Sequence, residues 1–335
     1  MTFARLFALA AALLVALPAP TLANDSEAQV ALGGLDLIRN VAVSMDAEDL
    51  FISREEVRVR YRYTNHSPRD VEVLVSFPVP DLPDGIGGYR EDRAFPDFAA
   101  LGFTTTVDGQ PVALGHTESA MIGNRDVTRR VAELDWPLHW YRDFPDGGSF
   151  TETFTAAQKA AYLREGLLRR SAYDTTALEP AWQVVTHVTR RQIFPAGRTI
   201  EVTHRYAPIA GGSVGGAFDR RNRRESYFTE RAAKYCTDSA FLATVDRRQA
   251  AAGGKNGSAF YAEHWVSYIL RSGANWRGPI KDFRLVVDKG RADNLLSLCM
   301  TGVRKISPTQ FEVRRTNFEP TQDIDLLILE WIRPE

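Results

Sequence analysis

Gly211-Gly212-Ser213-Val214-Gly215 matches the Gly-x-Ser-x-Gly nucleophile pattern, in which a sharp turn between a strand and a helix lifts a serine hydroxyl clear of its neighbours. A strand through Tyr206 can precede it, but Gly216-Ala217-Phe218-Asp219 and a run of arginines follow where an apolar helix is required. Loop flexibility is the better account. The same glycines lack the Gly-Lys-Ser/Thr ending of a phosphate-cradling loop, although Arg220, Arg221, Arg223 and Arg224 beside them are chemically able to meet an anion. Six histidines, His66, His116, His139, His187, His204 and His264, are scattered, with no pair at the spacing of a zinc helix or ribbon. His204 shares a face with Ile200, Val202 and Tyr206 and reads as a hydrogen-bonded core residue. Asp81, Asp84, Glu91, Asp92 and Asp97 do not follow a calcium-loop pattern. No catalytic, cofactor-binding or metal-binding residue is assigned, and no cofactor is expected.

Cys236 and Cys299 are the two cysteines, and an oxidising compartment would pair them. Closing so long a loop stabilises by about 4 kcal/mol in the chain-entropy description. A metal pair would want more ligands, and His264 is the one histidine between them. Two aromatic groups are candidates for a recognition surface. Trp136-Pro137-Leu138-His139-Trp140-Tyr141 is too dense in rings for an ordinary connector, and Asn275-Trp276 falls at an expected strand end. Flat rings at a rim stack on sugars or anchor a protein contact; they also close cores.

The compartment comes from the first residues. Arg5, the apolar run Leu6 to Leu17 and the small residues Thr21 and Ala23 make a secretory signal, with cleavage expected between Ala23 and Asn24 and a periplasmic or secreted product. No later stretch approaches the ~20 apolar residues of a spanning helix, so no transmembrane segment is expected in the mature chain. With 41 basic against 42 acidic residues, neither nucleic acid nor an anionic membrane is favoured as a partner.

The elements behind these residues read as β. Val57, Val59, Tyr61 and Tyr63 alternate with Arg58, Arg60 and Arg62 inside a strand expected over 50–65, and 71–77 follows as another. Asp108-Gly109 suits the positive φ angles of a tight hairpin. Thr155 to Gln158 has capping-box form before a helix ending near Arg170. A second hairpin is expected around Pro195-Ala196-Gly197, and a helix over 232–247. Short strands return through 260–270, 283–287, 295–299, 311–314 and 324–329. The fold class is therefore mainly β, α+β by content: an antiparallel β-sandwich with short helical insertions, as one unit or as two packed β subdomains. The expected division is a signal peptide at 1–23 and a sandwich domain at 24–210 with a helical insertion at about 126–170. A flexible basic linker at 211–225 and a C-terminal subdomain at 226–335 complete it.

Several local motifs carry a resemblance. Leu50-Phe51-Ile52-Ser53, Phe77-Pro78, Phe194-Pro195-Ala196-Gly197, His204-Arg205-Tyr206-Ala207-Pro208 and above all Gly273-Ala274-Asn275-Trp276-Arg277-Gly278-Pro279-Ile280 resemble an uncharacterised group of exported bacterial proteins, known as a domain of unknown function. That resemblance covers nearly the whole mature chain and implies export without implying an activity. Over about 50–208, Phe77-Pro78-Val79-Pro80, Asp108-Gly109 and Pro195-Ala196-Gly197 are also similar to the vault protein inter-alpha-trypsin domain, a β-sandwich module. The Asp-x-Ser-x-Ser metal-adhesion motif of the domain that often follows that module is missing. The expected function is a non-enzymatic envelope protein that binds or scaffolds a protein or glycan; the alternative is an exported hydrolase whose site is assembled from residues distant in sequence.

Overall fold

Side chains along 57–65 alternate strictly, with Val57, Val59, Tyr61 and Tyr63 wholly buried and Arg58, Arg60 and Arg62 exposed, as a strand with one dry and one wet face requires. The computed structural model describes residues 26–31, 34–79, 101–123, 125–140, 150–171, 176–213, 216–252 and 260–332. The signal segment and its cleavage point, the acidic loop 81–97, Tyr141 and the glycine-rich 253–257 lie outside these residues. Within them the first strands are Ser26–Ala31 (β1), Gly34–Ile38 (β2), Val43–Ile52 (β3), Val57–Asn65 (β4), Val71–Val79 (β5), Thr104–Val107 (β6), Gln110–Pro111 (β7), Gly115–Ile122 (β8) and Arg125–Asp126 (β9). Helices Thr128–Glu133 (α1) and Ala156–Glu165 (α2) precede Leu168–Arg170 (β10), Leu178–Pro180 (β11), Gln183–Phe194 (β12), Thr199–Tyr206 (β13) and Ala210–Ser213 (β14). Helices Ser226–Lys234 (α3) and Ser239–Ala252 (α4) lead into Phe260–Tyr268 (β15), Ile280–Asp288 (β16), Leu295–Leu298 (β17), Arg304–Lys305 (β18), Gln310–Phe318 (β19) and Ile324–Ile332 (β20). None of the helices described is long and apolar enough to cross a membrane.

The strands form an eight-stranded sheet (β18-β19-β16-β3-β4-β13-β6-β7), a six-stranded sheet (β2-β1-β5-β12-β8-β9), a four-stranded sheet (β14-β15-β20-β17) and the pair β10-β11. Pairing is antiparallel except between β3 and β16. The main core lies between the inner face of the eight-stranded sheet and the other two large sheets: Leu50, Tyr61, Val202 and Leu285 meet Val75 and Phe77 of the six-stranded sheet and Val266 and Tyr268 of the four-stranded one. This is the expected β-sandwich, with its second layer divided. A buried polar link crosses the layers, the Tyr268 hydroxyl donating to Glu48 Oε1 at 3.1 Å and lying 2.9 Å from the Tyr61 hydroxyl. Burial raises the Tyr268 pKa well above the ordinary phenol value, which keeps the hydroxyl a donor.

Local sequence signals explain the joints. Asp108 and Gly109 both take positive φ, 47° and 79°, in the β6–β7 hairpin. Thr155 and Gln158 form the capping box of α2, closed by Gly166 in the left-handed region. Four expectations need correction. The helix expected to end near Arg170 stops at Glu165, where Gly166 takes a positive φ, and Leu168–Arg170 is the strand β10. The strand expected over 50–65 is two strands, broken where Ser53 Oγ accepts from the amides of Glu55 and Glu56. The Pro195-Ala196-Gly197 turn does not close a hairpin, since β12 pairs with β5 and β8 whereas β13 pairs with β4 and β6 in the facing sheet. Period-two patterning shows that two strands exist and leaves open which sheet each joins. The helix expected over 232–247 is α3 and α4, interrupted at Cys236, whose φ is 51°, with Asp238 Oδ1 accepting from the Phe241 amide to start α4.

Strands from both sides of 211–225 share the eight-stranded sheet, so this segment does not separate two sheets. Nor does it lack apolar anchors. Ala217 and Phe218 are buried in a second core between the four-stranded sheet and α3 and α4. Wholly buried Glu263 accepts from the Ala217 amide and from Arg231 Nη1, both at 2.9 Å, while the Tyr261 hydroxyl accepts from the Phe218 amide and donates to Asp219 Oδ1. Burial raises the Glu263 pKa despite Arg231. A third cluster packs Val131, Leu134 and Tyr162 of the helical insertion against Ala120, Trp182 and Val184.

Candidate functional site

Because β4 alternates, its three exposed arginines leave the core on one side, and every second residue of the neighbouring strands joins them there. The pairing register fixes who stands beside whom. Across the middle of the sheet, Arg314 of β19, Arg284 of β16, Asp49 of β3, Arg60 of β4 and Thr203 of β13 form a row. One step along the strands the row reads Glu312, Val286, Phe51, Arg58 and Arg205; one step the other way it reads Thr316, Asp282, Ala47, Arg62 and Glu201.

Ion pairs run across this grid. Arg284 donates to Glu312 Oε1 at 2.8 Å and to Asp49 Oδ1 at 3.1 Å, and Arg60 donates to Asp49 Oδ2 at 3.4 Å. Arg304 and Arg314 approach Glu312 at 2.5 and 3.2 Å. Hydrogen bonds from Arg284 and then Arg304 draw the Glu312 pKa down to about 2, and the same carboxylate raises that of Arg284. Two arginines of the grid have no such duty. The Arg58 guanidinium lies 5.3 Å over the Phe51 ring, and Arg62 makes no ion pair or hydrogen bond among the described residues.

Two open depressions follow from these side-chain sizes. Ala47, the small residue of the grid, floors one of about 330 Å³, walled by Asp49, Arg60, Arg62, Asp282 and Arg284. Phe51, Val286 and Thr203 floor the other, of about 470 Å³, walled by Arg58, Arg60 and Arg284. Chemically the surface offers guanidinium donors, carboxylate acceptors and a narrow apolar floor, and it is open to solvent.

Arrangements fit for catalysis look different. Ser213 lies in strand β14 opposite Glu263, and the next α-helix among the described residues begins only at Ser226, whereas a nucleophile turn leads directly into one. Two other serines touch histidines: Ser44 Oγ is 2.8 Å from His66 Nε2, and Ser76 Oγ is 3.0 Å from His187 Nδ1. In the first, Asp46 accepts the serine hydroxyl at 2.7 Å, whereas a triad needs the acid on the histidine. In the second, Ser76 is wholly buried and burial pushes His187 down to about 4. His204 is a core residue, with Nδ1 2.7 Å from Thr105 Oγ1. Among the described residues no group of three His, Cys, Asp or Glu side chains is placed to hold a metal ion.

The disulfide joins Cys236, just past α3, to Cys299, just past β17. Of the aromatic candidates for a recognition rim, which were equally able to close a core, Trp276 lies in the core. Trp276 is wholly buried, 4.8 Å from the Tyr63 ring and 5.7 Å from Phe194, because the 3₁₀ turn Arg271–Asn275 folds it under the sheet. Asn275 is half-buried, and its carbonyl accepts from the Asn40 amide. Trp136 and Trp140 are half-buried in the helical insertion; Trp136 stacks on Trp182 and Phe154, and Trp140 Nε1 donates to the Trp182 carbonyl. The arginine grid was not among the sequence candidates. Its signal was present in the Arg58, Arg60, Arg62 alternation, but apart from those on the neighbouring β3 the partners, on β13, β16 and β19, come from distant segments.

Loose structural similarity links the chain to two crystal structures. One is a "putative nutrient binding protein" from Legionella pneumophila, 14% identical, covering 91% of this chain and 71% of that one at a TM-score of 0.43. The other is an M1 zinc metallopeptidase mutant bound to a Tyr-Ser-Ala substrate from Deinococcus radiodurans, 10% identical, covering 87% of this chain and 43% of that one at a TM-score of 0.26. At these TM-scores neither bears on function. No curated protein matches, and the likeness to the vault protein inter-alpha-trypsin domain finds no support. The model of a domain of unknown function, DUF4424, matches residues 23–327, nearly the full length, and the chain belongs to that family.

Proposed function

We propose that this protein is exported to the cell envelope and binds a partner there, without converting it, on the outer face of the eight-stranded sheet. The observation that carries this reading is the grid itself. A sheet that served only to close a core needs an inner apolar face and any soluble outer one; here two arginines without ion pairs and two depressions with apolar floors lie together on one face. Export is supported by the N-terminal sequence and by the disulfide. Openness favours recognition over reaction, since catalysis depends on groups held in a site that excludes water.

The test uses the mature chain immobilised and exposed to envelope extract, alongside an Arg60→Glu/Arg62→Glu variant and an Arg169→Glu control on the separate β10–β11 pair. Wild type and control should retain the same envelope component and the double variant should lose it. Equal capture by all three sinks the reading. So does turnover of an ester, glycoside or peptide substrate that disappears on replacing Ser76 or His187.

A further inference from the structure

Resting on that binding reading, we infer that the ligand is an acidic saccharide chain lying along β4, with its carboxylates meeting Arg58, Arg60 and Arg62. Residues i and i+2 of a strand stand about 7 Å apart, so the three guanidiniums form a regular ladder along which an extended chain with spaced carboxylates can lie. Among the described residues Arg62 and Arg58 are the rungs paired with no carboxylate, and Arg60 shares Asp49 with Arg284. By contrast Arg220 and Arg223, the other basic cluster, both close on Asp246.

Chemistry decides between a saccharide and an acidic peptide. The amides and carbonyls of β3, β4, β13 and β16 are engaged by neighbouring strands, so a peptide laid on this face finds no backbone partner and must leave its own polar groups to water or side chains. A saccharide has no such requirement. Its hydroxyls donate as well as accept, which matches a surface where Asp49, Asp282 and Glu201 stand among the guanidiniums with Thr203 and Gln310. Ala47, Phe51 and Val286 supply the apolar strip against which the C–H face of a pyranose packs. Guanidinium forks supply bidentate recognition of the carboxylates.

The experiment measures binding of the mature wild-type chain to polygalacturonate, polymannuronate and hyaluronan fragments, to a length-matched neutral galactan and to polyglutamate of equal charge, at physiological salt. At least one uronate polymer should bind tenfold or more tightly than both galactan and polyglutamate. Arg62→Ser should weaken that binding about tenfold with an unchanged melting temperature, because Arg62 has no internal partner to lose. Arg58→Ser, which removes only the contact over Phe51, should act in the same direction. Polyglutamate binding as tightly as every uronate would reduce the face to nonspecific charge attraction and overturn the inference. Failure of all three uronates to bind, while envelope capture persists and is lost in the double variant, would overturn the saccharide and leave the binding face standing. Capture that survives in the double variant would bring down both.

Discussion

Asn65 shows how much a single side chain decides in this fold. Wholly buried at the end of β4, it donates from Nδ2 to the carbonyls of Arg69 and Phe194, both at 2.8 Å, and its Oδ1 accepts from the Ser67 amide at 2.8 Å. Those bonds turn the chain from the eight-stranded sheet towards the six-stranded one and tie the turn to the end of β12. Asn65→Ala removes the side-chain donor from the buried Phe194 carbonyl and the acceptor from the Ser67 amide, so we expect a loss of about 1–3 kcal/mol, read as a lower denaturant midpoint at unchanged slope. Glu312 governs the acid limb of stability. Its folded pKa of about 2 lies below the ordinary 4.5, so its contribution is fully present above pH 4.5 and is lost as pH falls from there towards 2. Glu312→Gln should be less stable than wild type at neutral pH and should flatten the stability profile over that window; a profile parallel to wild type would show that the three arginines impose no shift. The exposed partners of this cluster screen the interaction, so its size is left to the measurement.

Among the elements, those specified by contiguous residues were legible in the sequence and those specified by distant ones were not. Asp108-Gly109 and the Thr155–Gln158 capping box act within four residues, and both stand as the sequence implied. The arches from β4 to β5 and from β12 to β13 were invisible as arches, because alternation reports a buried face without naming the sheet that buries it. The same limit hid the arginine grid. Arg58, Arg60 and Arg62 announced a wet face, but Asp49, Glu201 and Arg284 reach them through registers set by the whole sheet. Trp276 misled for a related reason: its Gly-Ala-Asn-Trp context looks like a strand-end loop, and only the 3₁₀ turn reveals that the ring goes inward. The disulfide joins elements that the hydrogen-bond ladders do not join. Reducing it, or replacing both cysteines by serine, frees a 63-residue separation and should lower stability by up to about 4 kcal/mol, with the break between α3 and α4 gaining hydrogen exchange before the sheets do. An unchanged denaturant midpoint would assign the linkage no role in stability.

At the scale of the molecule, the parallel pairing of β3 with β16 puts strands from both halves of the chain into one sheet. Cutting after residue 210 removes β16, β19 and β18 from the eight-stranded sheet and all but the first residue of the four-stranded sheet that covers part of its inner face. Leu50 and Tyr61, wholly buried in the intact protein, would then lose Leu285, Val266 and Tyr268 from their surroundings, and Glu48 would lose the Tyr268 hydroxyl that bonds it. The loss of a hydrogen bond to a buried carboxylate and a half-uncovered apolar face each oppose folding. We therefore expect the fragment 24–210 to be aggregation-prone and to lack a cooperative transition, and the intact mature chain to unfold in one step with calorimetric and van't Hoff enthalpies in agreement. Two separated transitions, or a soluble 24–210 fragment with native-like near-ultraviolet dichroism, would instead establish two domains. The outcome bears on function directly, because the grid draws Asp49 and Arg60 from one half and Arg284 and Arg314 from the other. If the halves fold only together, no fragment carries the binding face, and ligand should raise the single melting temperature of the whole chain as mass action requires.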